Sequence, residues 1–409
     1  MRDVSQLLTD FLEFVQINTR SDEKSQTIPT TPGQVVLAKI LVKRLRDLGL
    51  DNVTYDEENS FVLGKLAGNP DKMALGFIAH VDTADFNAEN NQPQVIEHYD
   101  GQDVILNADL NIVMKVAEFP NLKDYVGETL ITTNGLTLLG ADDKAGIAEI
   151  LELLRQLIAQ PELERGDVWV AFGPDEEIGR GADRFPVEKF PVRFAYTVDS
   201  GRVGNFEYET FNAAKIDIEI AGTSVHPGTA YQQMVNAIQL GKEIDNQLPS
   251  DEVPEKTREY EGFYLLTKFA GTIDHASLNY IIRDHDEEKF AQRKQTIVGI
   301  IDAINHRFDV PRITYQLEDQ YYNMRQVIDK HPLSIELAKE AMQAIGITPN
   351  VQPFRGGTDG SKISMMGLPT PNIFTGGENF HGQYEFITLE AMEKASQTLL
   401  EIVKLAAKQ

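Results

Sequence analysis

A chain of 409 residues, 42% hydrophobic and 25% charged, has an ordinary globular composition, and its length predicts two domains rather than one core. The formal net charge of −25, from 38 basic and 63 acidic residues, repels phosphate backbones and anionic lipid, which excludes nucleic acid and membrane surfaces as partners. Cysteine is absent, which excludes disulfides, zinc–thiolate sites and thiol catalysis together and fits a reducing, cytoplasmic setting.

Leu7, Leu8, Phe11, Leu12 and Val15 recur at helical spacing. Charges interrupt this first segment, so it lacks the unbroken apolar stretch of a signal peptide, and no later segment is long enough to span a bilayer. The helical pattern returns from Val35 to Leu48, with Gly49 as C-cap. Residues 73–82 (MALGFIAHVD) form an apolar run that ends in polar residues, the pattern of a buried strand. Residues 84–137 are polar and turn-rich, an excursion with short strands. A loop with Asp142 and Asp143 then leads into a helix whose apolar face carries Ile147, Ile150, Leu151, Leu154 and Ile158, the acids at its start suiting the helix dipole. Two more apolar runs, DVWVAFGPDEE (167–177) and FAYTVDS (194–200), also end in acids. Such alternation predicts a mostly parallel sheet covered by helices on both faces, with ligands bound at the carboxyl ends of its strands.

The pattern changes after residue 210. NAAKIDIEIAG (212–222) alternates with period two. A helix near 230–247, strands at 263–271 and 276–283, a helix at 287–308 and a strand at 312–318 complete a β-α-β-β-α-β order. After about 325 the earlier style resumes and ends in a C-terminal helix. The expected architecture is α/β. A mostly parallel, helix-covered sheet domain (1–210 and 324–409) is interrupted by a smaller α+β, ferredoxin-like sandwich (211–323).

Four segments bring ligand-type side chains to one rim of the predicted sheet. His80 and Asp82 close the first strand, Asp142 precedes the long helix, Glu176 and Glu177 follow the next strand, and Asp199 closes the last. His381, in the Gly-rich GGENFHGQYE (376–385), can return to that rim. Taken singly, each has a plainer role as a structural histidine, a helix cap or a surface pair. Crowded together, unpaired carboxylates raise one another's pKa, and a bound cation removes that cost. Two histidines and three or more carboxylates without sulfur fit zinc, cobalt or manganese. The triplet Asp175-Glu176-Glu177 also occurs as Asp56-Glu57-Glu58 and Asp286-Glu287-Glu288, which read as a surface approach to a strand and a helix start. Asp175 itself receives no role.

The ordered set HVDT (80–83), GADDKAG (140–146), PDEEIGRG (174–181), VDSG (198–201), GTSVHPG (222–228), FRGGTDGS (354–361) and GGENFHGQYEFI (376–387) resembles the M20 family of two-zinc metallopeptidases over nearly the whole chain. Within it, the text most resembles the tripeptide aminopeptidase branch. The resemblance implies two divalent ions, zinc first, with Asp142 bridging them. His80 and Asp199 would complete one site, Glu177 and His381 the other. Asp82 would orient the His80 imidazole. Glu176 would be the general base that takes a proton from the water between the ions and passes it to the leaving amine. His226, by its context a turn histidine, would stabilise the oxyanion from the lid, in the same chain or from a second copy in a homodimer formed through the lid domain.

A tripeptide needs its C-terminal carboxylate held. Arg283 and Asn279, evenly spaced on a predicted strand and so on one side of it, are the candidates, although an ordinary sheet-face arginine reads the same way. Arg355, beside Gly356-Gly357, offers a further cation near the site. His98, His275, His285, His306 and His331 lack strand-end context and receive no role. The same motifs also fit a dipeptidase, a carboxypeptidase or an N-acyl amino-acid deacylase, and the fold could serve a non-catalytic binding protein, against which stands the intact ligand set with Glu176.

Overall fold

Buried apolar runs become strands and the amphipathic segments become helices, as described by a computed structural model covering residues 5–409. In chain order the elements are α1 (Gln6–Val15), α2 (Pro32–Asp47), β1 (Asp51–Tyr55), β2 (Val62–Leu66), β3 (Leu75–His80), α3 (Ala141–Ile158), β4 (Val168–Gly173), β5 (Ala195–Ser200) and β6 (Asn205–Glu207). Then follow β7 (Asn212–Ala221), α4 (Ala237–Gln247), β8 (Phe263–Gly271), β9 (His275–Asp284), α5 (Glu287–Asn305) and β10 (Ile313–Tyr321). The chain closes with α6 (Leu333–Ala344), β11 (Asn350–Val351), α7 (Asp359–Met365), β12 (Asn372–Phe374) and α8 (Leu389–Ala406). No helix among the described residues is long and apolar enough to cross a membrane.

The contacts divide the chain into two units. The larger comprises the residues up to Tyr208, Met324–Gln352 and Thr358–Gln409; the smaller comprises Glu209–Asn323 and Pro353–Gly357. Arg355 therefore belongs to the smaller unit.

The larger unit is built on an eight-stranded sheet of order β1-β2-β4-β3-β5-β12-β6-β11. Its centre is parallel, β3 pairing with β4 and β5, and β5 with β12. Antiparallel partners enter at the flanks. The core strands alternate between two apolar layers, as a pleated sheet buried on both faces must. Phe77, Val170, Phe172, Tyr196 and Val198 face a layer shared with α1, α2, α3, α6 and α8. Ile78, Trp169, Ala171 and Ala195 face the other, where Phe185, Phe190 and Ile363 cover them. The second face is closed by short turns around residues 182–189 and by α7 rather than by long helices. The excursion at 84–137 contains short strands, at Gln94–Ile96, Val104–Asn107, Ile112–Met114 and Leu130–Thr132, and a short 3-10 turn at Pro120–Tyr125, around a small core of its own.

The smaller unit is a four-stranded antiparallel sheet of order β8-β9-β7-β10 with α4 and α5 on one face. Period two explains it: Ile216, Ile218 and Ile220 of β7 and Leu278, Tyr280 and Ile282 of β9 join the helices in one core, while Asp217, Asn279 and Arg283 point away from it. The helix expected near 230–247 begins only at Ala237. Pro227 and Gly228 form a short turn upstream, and the Asn236 side chain caps the true start by accepting from Ile238 N–H at 3.0 Å.

Helix α3 lies against β3, β5, α1 and α8, and Gly146 makes that approach possible. A Cβ there would lie 2.0 Å from the Val198 carbonyl oxygen, one residue before Asp199. The prediction is that Gly146→Ala lowers unfolding stability by about 1–3 kcal/mol, the usual cost of overpacking a close contact, measured by chemical denaturation. An unchanged midpoint would mean that the helix can move away freely.

Candidate metal centre

The parallel strands end together, and their ends carry the ligand-type side chains. His80 is the last residue of β3, Asp199 lies near the end of β5, and Glu176 and Glu177 form the turn after β4. Asp142 sits where α3 begins. There the backbone departs from helical angles at Asp142 (φ −82°, ψ 104°) and Asp143 (φ −120°, ψ 33°), which are joined by a cis peptide.

Among the described residues, two groups could each hold a metal ion: His80, Asp142 and Asp199, and Asp142, Glu177 and His381. His80 Nε2 lies 2.9 Å from Asp142 Oδ1 and 3.4 Å from Asp199 Oδ1. His381 Nε2 lies 2.9 Å from Asp142 Oδ2 and 3.2 Å from Glu177 Oε2. Asp142 thus gives one oxygen to each group. These separations approach the edge of a tetrahedron with bonds of about 2.0–2.1 Å, roughly 3.3 Å. His80 Nδ1 donates to the Asp82 carbonyl at 3.1 Å, with Asp82 Oδ1 at 3.3 Å, which leaves the Nε2 lone pair as the ligand. Glu177 Oε1 is buried without a hydrogen-bond partner among the described residues. The nitrogen and oxygen donor set therefore fits divalent ions of the zinc, cobalt and manganese kind.

Electrostatics shows what a cation would relieve. Burial raises the Asp199 carboxyl to about 6. Burial, then the Asp199 charge, pushes Glu176 well above the usual carboxylate range; burial and the Asp142 charge do the same to Glu177. Burial works against the His80 imidazolium, but the Asp199 charge and a hydrogen bond to Asp142 outweigh it and raise its pKa. Asp142, despite burial, is held low by hydrogen bonds from His381 and His80.

Asp82 does more than face an imidazole. Its Oδ1 accepts the Glu176 N–H at 2.9 Å and its Oδ2 the Glu177 N–H at 3.1 Å. One buried carboxylate thereby ties the end of β3 to the turn after β4. Asp175 also gains a function. Its backbone is left-handed (φ 55°), a conformation that aspartate tolerates better than most residues. Its buried carboxylate accepts from Thr30 N at 3.0 Å, from Thr30 Oγ1 and from Gln34 Nε2 at 2.7 Å, while its own N–H donates to Gln34 Oε1 at 3.1 Å. It fastens the metal-facing turn to the start of α2.

Sequence reasoning missed three buried acids here. Asp143 Oδ2 accepts from His80 N–H at 3.1 Å. Asp359, in the first turn of α7, is raised to about 7 by burial, with the Asp82 and Asp199 charges adding to it. Glu385 accepts from the Asp142 N–H. Asp143 and Glu385 lay beside singled-out residues, in GADDKAG and four positions after His381, but their directions depend on the folded backbone.

The remaining candidates lie in the smaller unit. His226 is exposed, and its Nδ1 accepts from Gly228 N–H at 3.1 Å. Asn279 and Arg283 share one sheet face. Asn279 bonds to Asp217, while Arg283 donates through Nη1 to the carbonyls of Ala214 and Ile282 and stacks on Tyr321. Arg355 donates to the carbonyls of Glu259 and Glu261, both at 2.8 Å, and to Thr257 Oγ1 at 2.9 Å, with Phe211 and Phe263 beneath it. Much of its donor capacity is committed to that loop.

A sheet with its carboxyl ends gathered around two carboxylate–imidazole groups is the platform of a metal-binding protein, and sequence comparison assigns the family. The model described as Peptidase family M20/M25/M40 matches residues 137–405; the chain belongs to this family and is a metallopeptidase. It is 53% identical over 405 residues to a protein named Peptidase T from Fusobacterium nucleatum, covering 98% of each chain. Among solved structures it resembles an aminopeptidase PepT from Bacillus cereus (TM-score 0.79, 22% identity) and a tripeptidase from Staphylococcus aureus (TM-score 0.79, 23% identity). Each comparison covers 99% of this chain and 98% of the other.

For the turn itself, Asp175→Ala is expected to lower unfolding stability by about 1–3 kcal/mol, since buried donors on Thr30 and Gln34 lose a charged acceptor. Thermal or chemical denaturation reads this directly, and a native-like midpoint would show that the anchor contributes nothing.

Proposed function

We propose that the chain is an aminopeptidase that releases the N-terminal residue of tripeptides with two divalent ions, zinc foremost, held by His80, Asp142 and Asp199 and by Asp142, Glu177 and His381. The observation that carries this reading is the divided carboxylate of Asp142, one oxygen toward each imidazole, beside a turn that presents both Glu176 and Glu177. Full-length similarity to proteins named Peptidase T supports the peptide substrate, and the ordered motifs support its tripeptide length. Ions bound there would polarise the scissile carbonyl and lower the pKa of the attacking water.

The chain's own residues divide the remaining work. Glu176 belongs to neither ligand group, so its carboxylate is kept as the base that takes the water proton and returns it to the leaving amine. Asp82 orients the His80 ring and fixes the Glu176-Glu177 backbone. Because His226 Nδ1 accepts a hydrogen bond, its neutral ring carries the proton on Nε2, ready to donate to an oxyanion. Arg283, with Asn279 further along the same sheet face and Arg355 as an added positive charge, takes the substrate carboxylate. A cytoplasmic location and a homodimer through the smaller unit belong to the same reading.

Turnover of di-, tri- and tetrapeptides and N-acyl amino acids by ion-loaded protein tests the substrate; preference for anything but free-amine tripeptides overturns it. Glu176→Gln should retain both ions and lose roughly 10²–10⁴-fold in kcat, whereas Glu177→Gln should lose ion affinity. Near-normal rates in both would refute the division of the doublet. His226→Ala should lower kcat by about 10²–10³-fold, the worth of one oxyanion donor; an effect confined to KM would remove that role.

A further inference from the structure

His381 is the one histidine of the ligand set that stands on a loop rather than in a strand. His80 pairs with Gly173 at the end of β3, and Asp199 lies within β5 between the paired residues Val198 and Ser200. His381 has φ 65°, two residues after Asn379 at φ 56°, outside any strand. A ligand on such a loop needs something to hold it in register with Asp142, its partner across the second ion group.

The loop is closed at its root. Glu378 and Phe386 exchange two backbone hydrogen bonds, at 2.9 and 3.1 Å. The Glu378 carboxylate accepts from Tyr125 Oη, from Asn121 Nδ2 at 3.0 Å and from Arg202 Nε at 2.8 Å, and Asn379 Nδ2 reaches the Tyr384 carbonyl at 3.2 Å. Glu385, on the returning arm, is 1% exposed and turned inward. Its Oε2 accepts the N–H groups of Leu139 and Gly140, both at 2.8 Å, and its Oε1 the N–H of Asp142 at 3.1 Å. One carboxylate therefore grips three backbone donors of the segment that delivers the divided ligand, while its own arm delivers His381. Glutamine could not substitute, because its NH₂ would face N–H donors.

We propose that Glu385 is the positioning residue of the second ion group. It holds Asp142 and His381 in one relative placement, so that Asp142, Glu177 and His381 are organised before their ion arrives. This rests on the two-ion reading above. Without Glu385, ordering the loop would be charged against ion binding. The group containing His80 and Asp199 keeps its strand supports and is affected less.

The test uses full-length protein stripped with a chelator, titrated with Zn²⁺ by calorimetry and with Co²⁺ by visible absorption. The native chain should bind two ions. Glu385→Gln should bind one ion about 10–100-fold more weakly, the usual effect of losing a partner that orients a ligand, and the other with a clearly smaller loss, with the larger change in absorption for the second Co²⁺. Glu385→Asp, which keeps the charge but is too short to span the three amides, should show the same split and decides the matter if the glutamine variant does not fold. Glu149→Gln, which changes a buried carboxylate without a hydrogen-bond partner on α3, should leave both ions unaffected. Native affinity at both sites in a folded Glu385 variant, or equal weakening of both, overturns the proposal. Failure of the native chain to bind two ions overturns the two-ion reading itself, and this inference with it.

Discussion

Carboxylates gathered at one sheet rim cannot all be charged, buried and unpaired, and that constraint organises the larger unit. Burial and mutual repulsion around Asp142 push Asp199, Glu176 and Glu177 to hold protons that free carboxylates release. The arrangement distributes the problem: Asp142 divides its two oxygens between two imidazoles, and the others surround it with nitrogen and oxygen donors suited to cations. A parallel sheet is a natural platform for this, because its strand ends converge at one edge and their side chains leave the pleat there.

What keeps the donors in place is a set of further buried carboxylates acting on backbone amides. Asp82 receives the N–H groups of Glu176 and Glu177, Asp175 receives Thr30 and Gln34, Asp143 receives His80, and Glu385 receives the segment before α3. Charge-assisted bonds of this kind are stronger than neutral ones, and each spans a joint between two elements. The smaller unit follows a simpler logic, with one sheet face sealed by α4 and α5 and the other left to polar side chains.

The architecture was legible in the sequence because burial leaves periodic traces. Runs such as 168–173 could only be strands buried on both faces, and the alternation over 212–221 separates the smaller unit's apolar face from its polar one. Boundaries were less legible where turn chemistry intervened, as at Pro227-Gly228 and the Asn236 cap. The second face of the large sheet was read as helical and is instead closed largely by short turns, since packing needs apolar area and not a particular secondary structure.

The sequence by itself pointed to the side chains that can meet a metal, because all but His381 end or follow strands of one sheet or begin the helix beside it, and to the doublet of acids among them. It could not determine how those side chains are held. Asp175 meets Thr30 across 145 residues and Glu385 meets Leu139 across 246, and no local pattern encodes partners at that range. The tertiary structure decided which loop Arg355 is bonded to, that Asp175 is an anchor, and that the irregular backbone bearing His381 is fastened to the segment of Asp142. Ligand type is a property of the residue, whereas ligand placement is a property of the folded backbone around it.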